Sequence, residues 1–276
     1  MLGMNWTDLD RMAAMIPDGS SVTIHKGDEA DVPMALAWAM IKRGLRGLHV
    51  VTLPTAAYPV SGMMMDLLIG AGCVDSVETS GISLHELGPA PRFSAAVKSG
   101  QLRVIDATCP AVYAGLQAGA KGQPFAPLRG LIGSDVQRHR DDYKIIDNPY
   151  LPGDRICLIP AINTDVAIFH AEMADQEGNI WVGRDRDRVL AAHAARLTLV
   201  TVERVVEGNF FDDERLSAGL IGAMHVDAVA VAAQGCAPMH IDGSTDMDAV
   251  RAYQAAAQSQ DGFDQYVAQR LQGVAA

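Results

Sequence analysis

Short runs of consecutive apolar residues alternate along this chain with longer stretches whose apolar positions recur every three or four residues. The first kind predicts buried strands at Ser21–Ile24, Leu48–Leu53, Ser76–Thr79, Leu102–Ile105, Ile156–Pro160, Val166–Phe169, Leu197–Val202 and Ala228–Val231. The second predicts helices at Val32–Arg43, Met63–Ile69, Ser94–Ser99, Val112–Ala120, Asp187–Ala195, Ala249–Gln258 and Asp264–Leu271. A further helix, capped by Thr7, carries Leu9, Met12, Met15 and Ile16 at helical spacing. Pro33 is placed to open the Val32–Arg43 helix and Gly44 to end it. Strands alternating with helices imply right-handed crossovers, hence an α/β protein with a mostly parallel sheet. The stretch Arg129–Pro152 has little periodicity and much charge, Gly and Pro, which marks it as a long functional loop.

Composition narrows this picture without changing it. A length of 276 residues is near the upper limit for one core, and the chain reads as one domain over 1–276. Only 5% of residues are aromatic, while small and aliphatic residues abound, which suits helices laid on a buried parallel sheet. A net charge of −11 argues against a nucleic-acid or anionic-membrane surface, yet leaves room for a polyanionic cofactor held by a few local cations. Met1–Ile16 has neither a signal-peptide pattern nor a spanning run, so a cytoplasmic protein is expected. Cys73, Cys109, Cys157 and Cys236 are widely spaced and read as buried, reduced thiols. The eight histidines show no local metal-binding spacing, so no metal is expected.

Periodicity stops there, and chemistry must come from particular residues. The most specific segment is Asp165–Ile180, in which Asp165, His170, Ala174, Asp175, Gly178 and Asn179 form an ordered pattern. Asp175 suits an Asx turn, and Gly178-Asn179 can take positive φ. This pattern resembles the A-type signature of family I CoA-transferases. Ile146–Pro160, the N-terminal frame from Asp18-Gly19 to Ser80-Gly81, and Gly235 with Ala237-Pro238 resemble the glutaconate branch of that family. The likeness runs from about Asp18 to Leu271. It implies an open, mostly parallel sheet with helices on both faces, the sugar-phosphate isomerase-like fold of these enzymes, with a ligand crevice at the carboxyl ends of the strands.

The resemblance also implies chemistry. Family I transferases move CoA from an acyl-CoA to a small carboxylic acid through a glutamyl thioester on a β subunit. No matching glutamate motif occurs in this chain, so a β-subunit partner is implied, with coenzyme A bound as a substrate thioester and no metal. Ser80 and Gly81, after the third strand, would then meet the substrate acid from the α side, unless they merely form a turn. His25, Lys26 and Gly27 follow the first strand where relatives carry a glycine pair for an oxyanion-binding loop. Here they form either a pocket that touches the acyl group or a solvated charged loop. Asp106 can serve as a base in the cleft or simply cap the turn before Pro110. Arg138–Asp142 and Arg184–Arg188 read as solvated charge runs, and Met63–Met65 as core or interface. Two other functions fit the same frame: a CoA-ester hydrolase that opens a ring or cleaves a C–C bond, and a non-catalytic ligand-binding module.

Overall fold

The computed structural model describes residues 6–273. In chain order its strands are β1 (Trp6–Thr7), β2 (Ser21–His25), β3 (Leu48–Leu53), β4 (Val74–Thr79), β5 (Arg103–Asp106), β6 (Phe125–Leu128), β7 (Lys144–Asp147), β8 (Arg155–Pro160), β9 (Val166–Asp175), β10 (Ile180–Trp181), β11 (Leu197–Val206), β12 (Leu220–Ile221) and β13 (Ala228–Val231). The helices are α1 (Leu9–Ala14), α2 (Met34–Arg43), α3 (Pro59–Gly70), α4 (Pro91–Ser99), α5 (Cys109–Ala120), α6 (Asp135–Arg138), α7 (Arg186–Ala194), α8 (Glu214–Ser217), α9 (Met247–Ala256) and α10 (Gln260–Gly273).

Eight strands form one parallel path in the order β1-β13-β11-β9-β2-β3-β4-β5, with β10 added antiparallel to β9 and β12 antiparallel to β10. The expected open α/β sheet is present. Neighbouring residues of the central strands face opposite layers. Ile24, Val50, Ile168 and Leu199 pack with Leu36, Met40, Met64 and Leu68 on one side. Val51, Leu53 and Ala167 pack with Val112, Leu116 and Ala191 of α5 and α7 on the other. Burial on both faces explains the unbroken apolar runs in the sequence. Met63, Met64 and Met65 all lie in the core.

The chain builds outward from β2 to β5, then returns to β9 beside β2 and builds the other way through β11 and β13. The sheet therefore reverses its order between β2 and β9, and a crevice opens at the carboxyl ends of the strands there. Several expectations need correction. The first helix is capped by Asp8, whose carboxylate accepts from Arg11 N–H at 2.8 Å, while Thr7 belongs to β1. The strand expected at Ile156–Pro160 joins no parallel sheet; as β8 it pairs antiparallel with β6 and β7. The stretch Arg129–Pro152, expected as a loop, thus contributes β7 to this small second sheet and also carries α6; the core beneath the sheet is Ala111, Tyr143, Cys157 and Ile159.

Candidate functional site

The loop after β2 turns through Gly27 at φ 79°, and a side chain there would fall 2.7 Å from Ser61 Cβ. Ser61 Oγ donates to Lys26 O, tying this loop to α3. The consecutive residues His25 and Lys26 then point to different environments. His25 is only 1% exposed and meets Phe169 edge-on, with ring centroids 5.6 Å apart. Burial, aided by the Arg188 charge, lowers its pKa to about 4, so the ring is neutral. Neither ring nitrogen has a hydrogen-bond partner, nor does Asp31 Oδ1 close by. Burial, with Asp185 and Asp28 adding like charge, pushes the Asp31 carboxyl up to about 8.

Lys26 is half-buried and paired with two carboxylates, Asp28 Oδ2 at 3.1 Å and Asp187 Oδ2 at 3.2 Å. Burial alone would lower its pKa, but the Asp28 hydrogen bond and both acidic charges outweigh it and raise the ammonium well above the ordinary lysine range. Tyr113 OH donates to the same Asp187 oxygen at 2.6 Å. Tyr113 lies one turn after Cys109 on α5, so both side chains share a helix face. Cys109, exposed in contrast to the other three thiols, sits 3.3 Å from Ser80 Oγ. Helix α5 thereby joins the two candidate groups, Lys26 on one side and Ser80 on the other, across the width of β3.

Ser80 is exposed at the end of β4, and its hydroxyl donates to Pro54 O at 2.9 Å. Gly81 N–H donates to Thr79 Oγ1 at 3.0 Å and is therefore occupied. Asp106 is exposed at the end of β5 and caps nothing; Thr108 caps α5 by accepting from Ala111 N–H. Two arginines assigned from sequence to solvated runs are instead buried. Arg140, 9% exposed, binds Glu78 Oε1 at 2.9 Å, Asp106 O at 3.0 Å and Asp142, and lies over the Tyr143 ring. Arg188 binds Asp185 at 2.7 Å, Glu29 at 3.0 Å and His170 O at 3.1 Å. The alternating acids and bases around both gave no sign in the sequence of which arginine would be drawn inward.

The signature segment proves to be scaffold. Asp175 accepts from the N–H groups of Glu177, Asn179 and Phe210 and from the Asn179 amide. Gly178 takes φ 83°, while Asn179 does not share its positive φ. His170 bonds Thr201 Oγ1 at 2.8 Å and Glu203 Oε1 at 3.0 Å, beneath a close approach by Gly235. Glu203 in turn accepts from Gln234 and Gly235 N–H. No helix among the described residues is long and apolar enough to cross a membrane.

A parallel sheet with polar side chains gathered at the carboxyl ends of its strands, around the point where strand order reverses, defines a ligand-binding α/β crevice. The chain belongs to the coenzyme A transferase family, whose model matches residues 7–234. It is 31% identical to the A-type subunit of 3-oxoadipate CoA-transferase from Pseudomonas knackmussii, over 70% of this chain and 67% of that one. It is 27% identical to the A-type subunit of glutaconate CoA-transferase from Acidaminococcus fermentans, over 91% and 85% respectively. The cholesterol ring-cleaving hydrolase IpdA subunit of Rhodococcus jostii is 30% identical over 96% of this chain and 91% of its own. Among solved structures, glutaconate coenzyme A-transferase from A. fermentans superposes with a TM-score of 0.85 at 25% identity, covering 96% of this chain and 88% of that one. The decarboxylase AibA/AibB gives 0.82 at 26% identity, covering 97% and 100%.

Proposed function

We propose that this chain is the α subunit of a cytoplasmic, heteromeric CoA-transferase that moves CoA between an acyl-CoA and a small carboxylic acid. The observation that carries the reading is the alignment of Ser80, Cys109 and Asp106 at the carboxyl ends of β4 and β5, on one crevice edge of a family member. The α side orients the acyl end. Ser80 turns its hydroxyl from Pro54 O to the substrate carboxylate, exchanging one acceptor for another, while Lys26 shapes the loop beside it. His25 lies beneath that loop and acts through it. Gly81 and Gly27 supply close backbone approach.

The β subunit supplies the nucleophile. Its glutamate carboxylate adds to the thioester carbonyl, and CoA leaves as thiolate to give a mixed anhydride. The thiolate then attacks the glutamyl carbonyl, releasing the donor acid and leaving a glutamyl thioester. The acceptor acid reverses both steps and departs as its own CoA ester.

Hydrolysis is the second reading, favoured by the loss of the glycine pair at His25-Lys26 and by likeness to IpdA subunits over 96% of this chain or more. A thioester intermediate must be shielded from water, whereas a hydrolase must admit it. The test is trapping. The αβ complex is incubated with acyl-CoA but no acceptor, treated with borohydride or hydroxylamine, and its β chain is weighed by mass spectrometry. A modified glutamate supports transfer. Full-rate release of CoA or an opened product with no modified glutamate supports hydrolysis. In either case Ser80→Ala should reduce kcat/KM by about 1–3 kcal/mol of transition-state binding, with the complex intact.

A further inference from the structure

Two clusters of metal-ligating side chains lie near the switch point, and they differ in one respect. In the first, His170, Glu203 and Cys236 are all satisfied: both imidazole nitrogens are bonded, Glu203 accepts backbone N–H groups, and the Cys236 thiol donates to Met239 O at 3.2 Å. In the second, His25, Asp31 and Asp185 each bring a donor atom within 4.8 Å of the others, yet both His25 nitrogens and Asp31 Oδ1 are buried without any partner. Leaving a buried polar atom unpaired costs about 1–3 kcal/mol. An imidazole's two nitrogens point apart, so one of them, with one oxygen each from Asp31 and Asp185, can share a common partner.

We propose that His25, Asp31 and Asp185 bind a divalent first-row transition ion, with Zn²⁺ as the leading candidate. The donor set of one imidazole and two carboxylates is of the kind this ion takes. Bonds of about 2.0–2.2 Å in a tetrahedron hold donors about 3.3–3.6 Å apart, so the three donors, now within 4.8 Å of one another, would close in on a bound ion. Charge also fits. Around the imidazole and the cleft beside it stand Asp28, Glu29, Asp31, Asp185 and Asp187, against Lys26, Arg184, Arg186 and Arg188 as cations, a small excess of acidic groups.

The surrounding contacts are those expected of ligand support. Asp185 Oδ2 is held by Arg188 Nε at 2.7 Å, and Oδ1 accepts from Asp187 N–H at 2.7 Å, which leaves each oxygen a lone pair. Asp31 is fixed through its carbonyl, which accepts from His170 N–H at 2.8 Å. Asp185 also borders a cleft of about 300 Å³ with Lys26, Asp28, Glu29, Arg184, Arg186 and Asp187, which brings solvent to one of the three ligands. The site gives the unusual His25-Lys26 loop a role that is independent of which acyl chemistry the crevice performs.

The test uses the full chain, with its partner subunit if that is needed for solubility, stripped by chelator and titrated with Zn²⁺ by calorimetry and with Co²⁺ by visible absorption. One ion per chain, visible Co²⁺ ligand-field bands and a higher Tm with Zn²⁺ are expected. Asp31→Asn should weaken Zn²⁺ binding by about 100-fold or more. Asp185→Asn, nearer the surface, serves as the second variant should the first fail to fold. Absence of saturable binding would overturn the proposal. So would binding kept at full strength by either folded variant, which would place the ion elsewhere, as at the exposed His193–His225 pair.

Discussion

Two glycines in the candidate site show how much of its shape depends on single residues. Gly27 combines φ 79° with a site where a Cβ would press on Ser61 and Val32. Gly81 has ordinary backbone angles, and a Cβ there would meet only Thr55 Oγ1, at 3.6 Å. Gly27→Ala should therefore cost about 2 kcal/mol or more, from left-handed strain plus overpacking. Gly81→Ala should stay within about 0.5 kcal/mol of the native chain. Urea unfolding of the two variants checks this, and equal losses would contradict it. The same contrast applies to charge. Lys26 follows a strand and stays half-exposed between two acids, whereas Arg140 and Arg188 leave their charge runs for the interior. Residue type alone says nothing of that choice.

At the scale of elements, Arg140 fastens the small antiparallel sheet to the site. Its guanidinium spans Glu78 of β4, the Asp106 carbonyl of β5 and Asp142, so it fixes the two strand ends that carry Ser80 and Asp106. Arg140→Ala should destabilise the chain by about 3–5 kcal/mol because it strands Glu78 in the interior, and pairing it with Glu78→Gln should recover part of that loss. A double variant no more stable than the single one would show that the pair is uncoupled. Across the switch point, Asp165 pins β9 to β2. Ser21 N–H and hydroxyl both donate to its Oδ2, at 2.9 and 2.7 Å, and hold its carboxyl below the ordinary range. A depressed folded pKa adds stability above the unfolded value of about 3.9, and that stability disappears as pH falls through the folded value. The side chain is partly exposed, so the effect is small. The advantage of the native chain over Asp165→Asn should be full at about pH 7 and lost by about pH 2; a gap that ignores pH would refute this. Seven of the eight parallel strands and most helices were legible because burial on both faces of the central strands writes continuous apolar runs. The second sheet was not, because β6 and β7 are short, half-exposed and set by pairing with the distant β8. Ser80, Lys26 and Asp106 were legible as strand-end residues. The role of Cys109 and the enclosure of His25 depend on α5 and α7, which only the fold brings to the crevice.

The whole molecule carries a net charge of −11, three cations of its crevice are already engaged, and Arg184 and Arg186 stand in the same cleft among Asp28, Glu29, Asp185 and Asp187. Lys26 faces Asp28 and Asp187, Arg140 faces Glu78 and Asp142, and Arg188 faces Asp185 and Glu29. Coenzyme A is a polyanion, and its phosphates need uncompensated positive charge or free N–H donors. Freeing any of these three cations would expose its acidic partners to the same phosphates. The α side is thus suited to the acyl end of a thioester rather than to its nucleotide. If the α-subunit reading holds, the partner must supply the nucleotide site, and free CoA should bind the αβ complex far better than the isolated chain. Calorimetry on both would measure the difference. We expect at least a tenfold gap, about 1.4 kcal/mol, that narrows as salt rises because the partner's contribution is electrostatic. CoA binding by the isolated chain with the affinity of the complex would mean that this crevice holds the nucleotide itself, and the division of labour between subunits would have to be reversed.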